Sequence, residues 1–322
     1  MSVFSLVGRT LPFIFARLAV YVIFAIVAFV FLGIMLGISM FLFKTFEFAS
    51  GFFVIILLIS FLGVFGGLKV VERYVLYMVK VGHISVITEM LKNGKVPSGK
   101  GQLAYGKDQV KNNFGSANVC FVVDRMVHGA VKQIQRWTIR VGNLFSFIPG
   151  SNIIISLVNR VMSVSLNYID EAILSYIMLR KDEKQDETVW KSASDGVVLY
   201  AQSWKKVLMT AIGVVVFIFI LNITVFLVTV FPLMGLANMI AENNEAASVL
   251  GFIAVVGAYV IMTVVRRALV DPIATVAMIR AYQTTIKEME PSIDLQQKLL
   301  GVSSKFKKLH QKRDEPKDSS KK

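Results

Sequence analysis

The chain of 322 residues is 55% hydrophobic, only 17% charged, and carries a formal net charge of +14. A mean hydropathy of +0.64 excludes an ordinary soluble domain, whose surface needs more charge than this. A basic balance of this size would point to nucleic acid in a soluble protein, but here the placement of the charges along apolar runs argues against a nucleic-acid partner.

The first apolar run is roughly Leu18–Leu42, and the second about Gly51–Leu68. Each approaches or exceeds the roughly 18–20 residues that cross a bilayer as helix. The first has a core too long for a cleavable signal peptide and no small-x-small site after it, so it is expected to stay in the membrane. Gly33-x-x-x-Gly37 and Gly63-x-x-x-Gly67 place small residues where two helices could approach closely.

Beyond the second run, GKVPSGKG (Gly94–Gly101) fits the spacing of a phosphate-binding loop, with Lys100 in the lysine position. Gly101 stands where the magnesium-binding hydroxyl belongs, Pro97 removes a backbone N–H, and HISVITEMLK before it reads as helix rather than strand. A polar loop is the expectation. Asn118–Phe145 reads as an amphipathic helix with Val119, Val123, Met126, Ala130, Ile134, Trp137, Val141 and Leu144 at helical spacing. Arg125, Lys132, Arg136 and Arg140 occupy its other faces. Such a helix suits the membrane surface, with Trp137 and the basic residues toward anionic lipid headgroups; packing against other helices is the alternative. After the IPGSN turn, Asn152–Leu179 is long enough to span but is interrupted by Asn159, Arg160, Asn167, Asp170 and Glu171. It is expected to lie on the surface or to be re-entrant. Arg180–Thr188 reads as a solvated loop.

The third run, near Val207–Met234, contains Asn222 and Pro232; the fourth is about Val249–Val265. All four should be helical, because backbone groups left unpaired in lipid cost several kcal/mol each. Of 35 Lys and Arg residues, all but Lys44 fall on one side if both termini and the central segment are cytoplasmic. The positive-inside rule then predicts a multi-pass protein with both ends inside.

VVRRALVDPIATVAMIRAYQ (Val264–Gln283) follows the fourth run. Arg267 and Asp271, four apart, would share a helix face. Asp271-Pro272 also has the form of a helix start, with Asp as N-cap and Pro first. On that reading Arg266 and Arg267 anchor the fourth span and a new helix runs along the surface, with Met278, Tyr282, Ile286 and Met289 on its apolar side. A buried Arg–Asp cluster is the alternative.

The expected architecture is an all-α integral membrane protein, with four transmembrane helices and amphipathic helices on the cytoplasmic face. Residues 1–79 form a hairpin of two spans, 80–204 a membrane-surface helical region, 205–270 the second pair of spans, 271–304 an amphipathic surface helix, and 305–322 a disordered basic tail. His83, His128, His310 and Cys120 are scattered, and neither a nucleophile elbow nor paired carboxylates in a cleft is evident. No enzyme, cofactor or metal site is therefore expected.

Trp190–Leu309, with WKSASDGVVLYAQSWKKV, GAYVIMTVVRRALVDPIATVAMIRAY and KLLGVSSKFKKL, resembles the end of the choline transporter-like family. That family similarly closes with a span, an apolar segment with an Asp near Asp271, and a short basic C-terminus. The resemblance implies solute transport, but the family has about ten spans and this chain has four. Two function classes follow. One is a non-enzymatic membrane scaffold or accessory subunit, whose basic helices engage lipid or a partner membrane protein. The other is a transporter or channel-like protein that builds its pathway by homo-oligomerisation and lines it with Asn222, Arg266, Arg267 and Asp271. The concentration of polar residues outside the spans favours the scaffold.

Overall fold

The computed structural model describes residues 1–45, 51–97, 99–114, 117–142, 168–184 and 186–313. These residues are about 90% helical, with no strand among them. Four helices are long and apolar enough to cross a membrane by length and composition: Leu11–Met35, Gly66–Asn93, Val189–Ile240 and Asn244–Ile286. The chain falls into two compact units, Pro12–Lys80 and the remainder, Met1–Leu11 with Val81–Lys322.

The Pro12–Lys80 unit holds most of α2 (Leu11–Thr45) and the first part of α3 (Gly51–Asn93). From Leu18 to Leu42 helix α2 carries no charged residue on any face, and Phe15, Ile23, Val30 and Phe41 are exposed along one broad stripe. An apolar surface on every side of a helix suits lipid, not water. The four glycines of the two small-residue pairs make no close helix contact among the described residues, because a Cβ on any of them would meet nothing within 4 Å.

The larger unit is a helical bundle. After α1 (Val3–Arg9) and the end of α3 come α4 (Gln102–Phe114), α5 (Ala117–Gly142) and α6, helical over 168–183. Then follow α7 (Val189–Ile240), α8 (Asn244–Val265), a π turn (Arg266–Val270), α9 (Asp271–Ile286), α10 (Ile293–Val302) and α11 (Ser304–Gln311). Polar caps set several starts: Thr188 accepts from the Lys191 N–H, Asn243 from Ala246 and Ser292 from Leu295. Helix α7 continues through Asn222 and Pro232, as spanning helices can when neighbours satisfy the freed carbonyl.

Several expectations give way here. Every residue from Tyr168 to Met178 is buried, so this part of Asn152–Leu179 lies on no surface; residues 152–167 are outside the described residues. Helix α9 is also interior, with Ala274, Val276, Met278, Ile279, Tyr282 and Ile286 buried. The surface helix expected over 271–304 is thus a core helix, a turn and the short α10. The tail is ordered as far as Arg313: α11 is capped by Ser303 and inserts Phe306 and Leu309, both fully buried, against α5 and α7. The remaining tail, 314–322, lies outside the described residues. In Arg180–Thr188 the residues Asp182, Glu183, Lys184 and Asp186 are exposed, as a solvated segment would be, but Glu187 is buried. Helix α6 reaches residue 183, and the buried Glu187 carboxylate accepts from Ser192 at 3.0 Å beside Arg180 and Lys191 at 3.7 and 3.6 Å.

Two close approaches demand glycine. A Cβ at Gly106 would stand 2.7 Å from the Gly82 carbonyl oxygen, and one at Gly196 only 2.9 Å from Ile173 Cγ2. Gly196 also lends its carbonyl to the Tyr282 hydroxyl, at 2.7 Å, where α6, α7 and α9 meet. Gly196→Ala is expected to cost about 1–3 kcal/mol through overpacking. Gly213→Ala on the same helix, with open space around it, should be neutral or stabilising by up to about 1 kcal/mol. Thermal unfolding of both variants in detergent checks this pair.

Candidate functional site: the polar network around α6

Helix α6 carries Tyr168, Glu171 and Ser175 at steps of three and four, which brings them onto one stripe. Helix α9 carries Asp271, Thr275 and Gln283 at steps of four and eight, again on one stripe. The two stripes face each other. The Tyr168 hydroxyl donates to Asp271 Oδ1 at 2.8 Å, Thr275 donates to Glu171, and the Gln283 amide donates to Ser175 at 2.5 Å. Edge-to-face packing of Tyr176 on Tyr282, with ring centroids 6.4 Å apart, extends the same seam.

The other sides of α6 are also occupied. Ser175 shares a hydrogen bond with Thr88 of α3 at 2.6 Å, and the Asp170 carboxylate lies 3.1 Å from His128 Nδ1 of α5. Further along, Lys92 pairs with Asp182, while the Tyr105 hydroxyl donates to Glu89 at 2.8 Å. The space beside these last groups is about 20 Å³, well short of the roughly 300 Å³ of a small-molecule site. Tyr168 is buried, and its hydroxyl is committed as donor to Asp271.

The π turn decides which arginine joins the network. Asp271 is inside the helix, at φ −60° and ψ −41°, and makes no side-chain cap. Pro272 cannot donate to a carbonyl four residues back, and its ring would crowd that carbonyl in a regular helix. The helix widens instead, and the Asp271 N–H donates to Arg266, five residues back. The widening shifts the angular phase. Arg266, not Arg267, meets Asp271, with Nε 3.8 Å from Oδ1, while Arg267 points outward and is exposed. Asp271 therefore does not start a new helix.

Asn222 is half-buried on α7. On α5 the apolar stripe is committed to the bundle: Val123, Val127, Ala130 and Ile134 are buried against α4, α7 and α11. Arg125, Lys132 and Arg136 are exposed, with the Arg125 guanidinium 5.2 Å from the Phe121 ring centre. The exposed side of α5 is thus mainly basic, with Phe121 and Val122 exposed near its start. The side chains of Trp137 and Arg140 lie outside the described residues.

In the GKVPSGKG loop, Lys100 pairs with Asp108 at 2.7 Å and so holds that carboxyl below its usual range; Arg9 donates to the Gly94 carbonyl at 3.2 Å. Among the described residues, no three His, Cys, Asp or Glu side chains converge as metal ligands.

Tyr168→Phe strips Asp271 of its buried donor and is expected to cost about 1–3 kcal/mol. Arg267→Ala, which breaks no contact in the network, should cost less. Denaturation midpoints of the two variants side by side test the ranking.

No protein family, curated protein or solved structure matches the chain.

Proposed function

We propose that the chain is a non-enzymatic membrane scaffold or accessory subunit, whose spans seat a rigid helical bundle at the cytoplasmic face. The observation that carries this reading is where the polar groups of the helices point. In the apolar stretches, Thr224, Thr229 and Thr263 each donate to a carbonyl of their own helix four residues back, at 2.8–2.9 Å. Each of these hydroxyls thus spends its one donor on its own helix. In the bundle, the hydroxyls and carboxylates of α6 bind other helices of the same unit. The network acts as a set of locks between helices. The exposed side of α5 is basic, with Arg125, Lys132 and Arg136, and each such residue close to an anionic membrane surface is worth about 1 kcal/mol.

One observation favours transport instead. Tyr168, Asp271 and Arg266 form a charged chain at a π turn, and π turns concentrate at functional sites. The resemblance of Trp190–Leu309 to choline transporter-like proteins leans the same way. Choline and ion flux into liposomes holding the purified protein separates the two readings. The expected result is no flux above protein-free liposomes, for the parent and for Asp271→Ala alike. A choline flux in the parent that Asp271→Ala abolishes would replace the scaffold with a transporter.

A further inference from the structure

Helices α7 and α8 form an antiparallel hairpin, and their register shows where the charged π turn lies. A Cβ at Gly257 would sit 3.8 Å from Leu233 Cδ1. Both helices rise at the same rate, so Arg266, nine residues past Gly257, comes abreast of about Thr224, nine before Leu233. The π turn indeed packs on α7. Lys206, where the apolar run of α7 begins, is then roughly 25 Å further along the helix axis.

The surface between these two levels is not one that faces water. From Val207 to Leu221 the sequence is VLMTAIGVVVFIFIL, without a charge. Met209, Val216, Phe219 and Ile220 are 69, 52, 61 and 57% exposed, and Leu269 of the π turn is exposed as well. A continuous apolar patch of this kind marks a membrane or a partner. Its lower border names the occupant. Trp204, Lys205 and Lys206 follow one another there, with Lys205 Nζ 5.9 Å from the Trp204 ring centre, and an aromatic-basic step of this kind is the signature of a headgroup plane.

We infer that the bilayer meets the hairpin at Trp204–Lys206, that acyl chains cover the Met209–Ile220 face, and that Arg266 and Asp271 consequently lie inside the membrane. The inference rests on the integral-membrane part of the reading above and not on whether solute moves. It fits the length of α7. Residues Val207–Ile240 measure about 51 Å, which a tilt of about 40° reduces to roughly 39 Å, close to core plus headgroups. It also gives the pairing of Arg266 with Asp271, and of Asp271 with Tyr168, a physical role. An unpaired charge at that depth costs at least about 2.5 kcal/mol. Arg267, exposed at the same level, carries that cost on the outer side of the helix.

Single spin labels test this in liposomes of mixed neutral and anionic phospholipid, on a Cys120→Ser background. Met209→Cys, Val216→Cys and Phe219→Cys probe the contested face. Val228→Cys stands for lipid and Lys184→Cys for water. The expected result is that the three labels match Val228→Cys, colliding severalfold more with oxygen than with a water-soluble nickel chelate. Labels that instead match Lys184→Cys would place the headgroup plane at the π turn and overturn the inference. Labels inaccessible to both reagents would also overturn it, since a second copy of the chain or another protein would then cover the face. Because all the probed side chains are exposed, labelling disturbs no packing, and three positions keep the result readable if one variant fails to insert. The readout needs no flux, so its failure and that of the functional reading are distinguishable.

Discussion

The bundle depends on one constraint: α6 carries acids and hydroxyls into a place without solvent. Asp170, Glu171 and Ser175 are buried along with Ile169, Ile173, Leu174 and Ile177. A buried carboxylate or hydroxyl without a partner costs several kcal/mol, and more when charged. Each neighbouring helix is therefore held where it can supply one. Helix α9 brings Thr275 to Glu171, α5 brings His128 near Asp170, and α3 brings Thr88 to Ser175. Apolar packing alone would let these helices slide by a turn at modest cost. The polar contacts do not permit it, because a slide of one turn would leave several groups unsatisfied together. Gly196 adds a steric stop, since α7 can approach α6 only where it has no side chain.

Pro272 plays a comparable part for the long α8–α9 helix. In a regular α-helix, Asp271 and Arg267 would share a face and Arg266 would turn away. The π turn rotates that relation, so the outward guanidinium and the paired one exchange places. One residue without an N–H thus sets which cation joins Tyr168 and Asp271. It also keeps α9 in line with α8, where it can present Thr275, Tyr282 and Gln283 to α6 and α7.

The all-helical class and the presence of four helices long and apolar enough to span were legible in the sequence because composition and run length carry them directly, although the second such helix is Gly66–Asn93 and not the Gly51–Leu68 run. The apolar stripe of α5 was legible too; what it packs against was not. A basic amphipathic helix looks the same whether lipid or protein covers its apolar side, and the deciding residues, Phe306 and Leu309, stand far along the chain in a segment whose lysines suggested disorder. Only the Phe306–Leu309 spacing and the Ser303 cap signalled the last helix. Asp170 and Glu171 read as interruptions of an apolar run, whereas each has a partner more than forty residues distant. Partner identity across such distances leaves no local pattern. Asp271-Pro272 misled for a different reason: the same dipeptide starts helices and, inside a helix, produces a π turn. The choice between them lies in Tyr168 and Arg266.

This network bears on function through what it forbids. A transporter needs polar groups that can exchange partners as a solute passes, and an element with two comparable arrangements. The hydroxyls in the apolar stretches are bonded to their own helices, and the α6–α9 contacts close on one another, so each polar group there already has a partner to lose. Moving α9 away from α6 would break the Tyr168–Asp271, Thr275–Glu171 and Gln283–Ser175 contacts at once, with no second set of partners at the same spacing along α9. A bundle locked in this way keeps α6 and α9 in a single register. The pair Arg266 and Asp271, 3.8 Å apart, belongs to the same lock, because opening it would leave a half-buried guanidinium without its carboxylate.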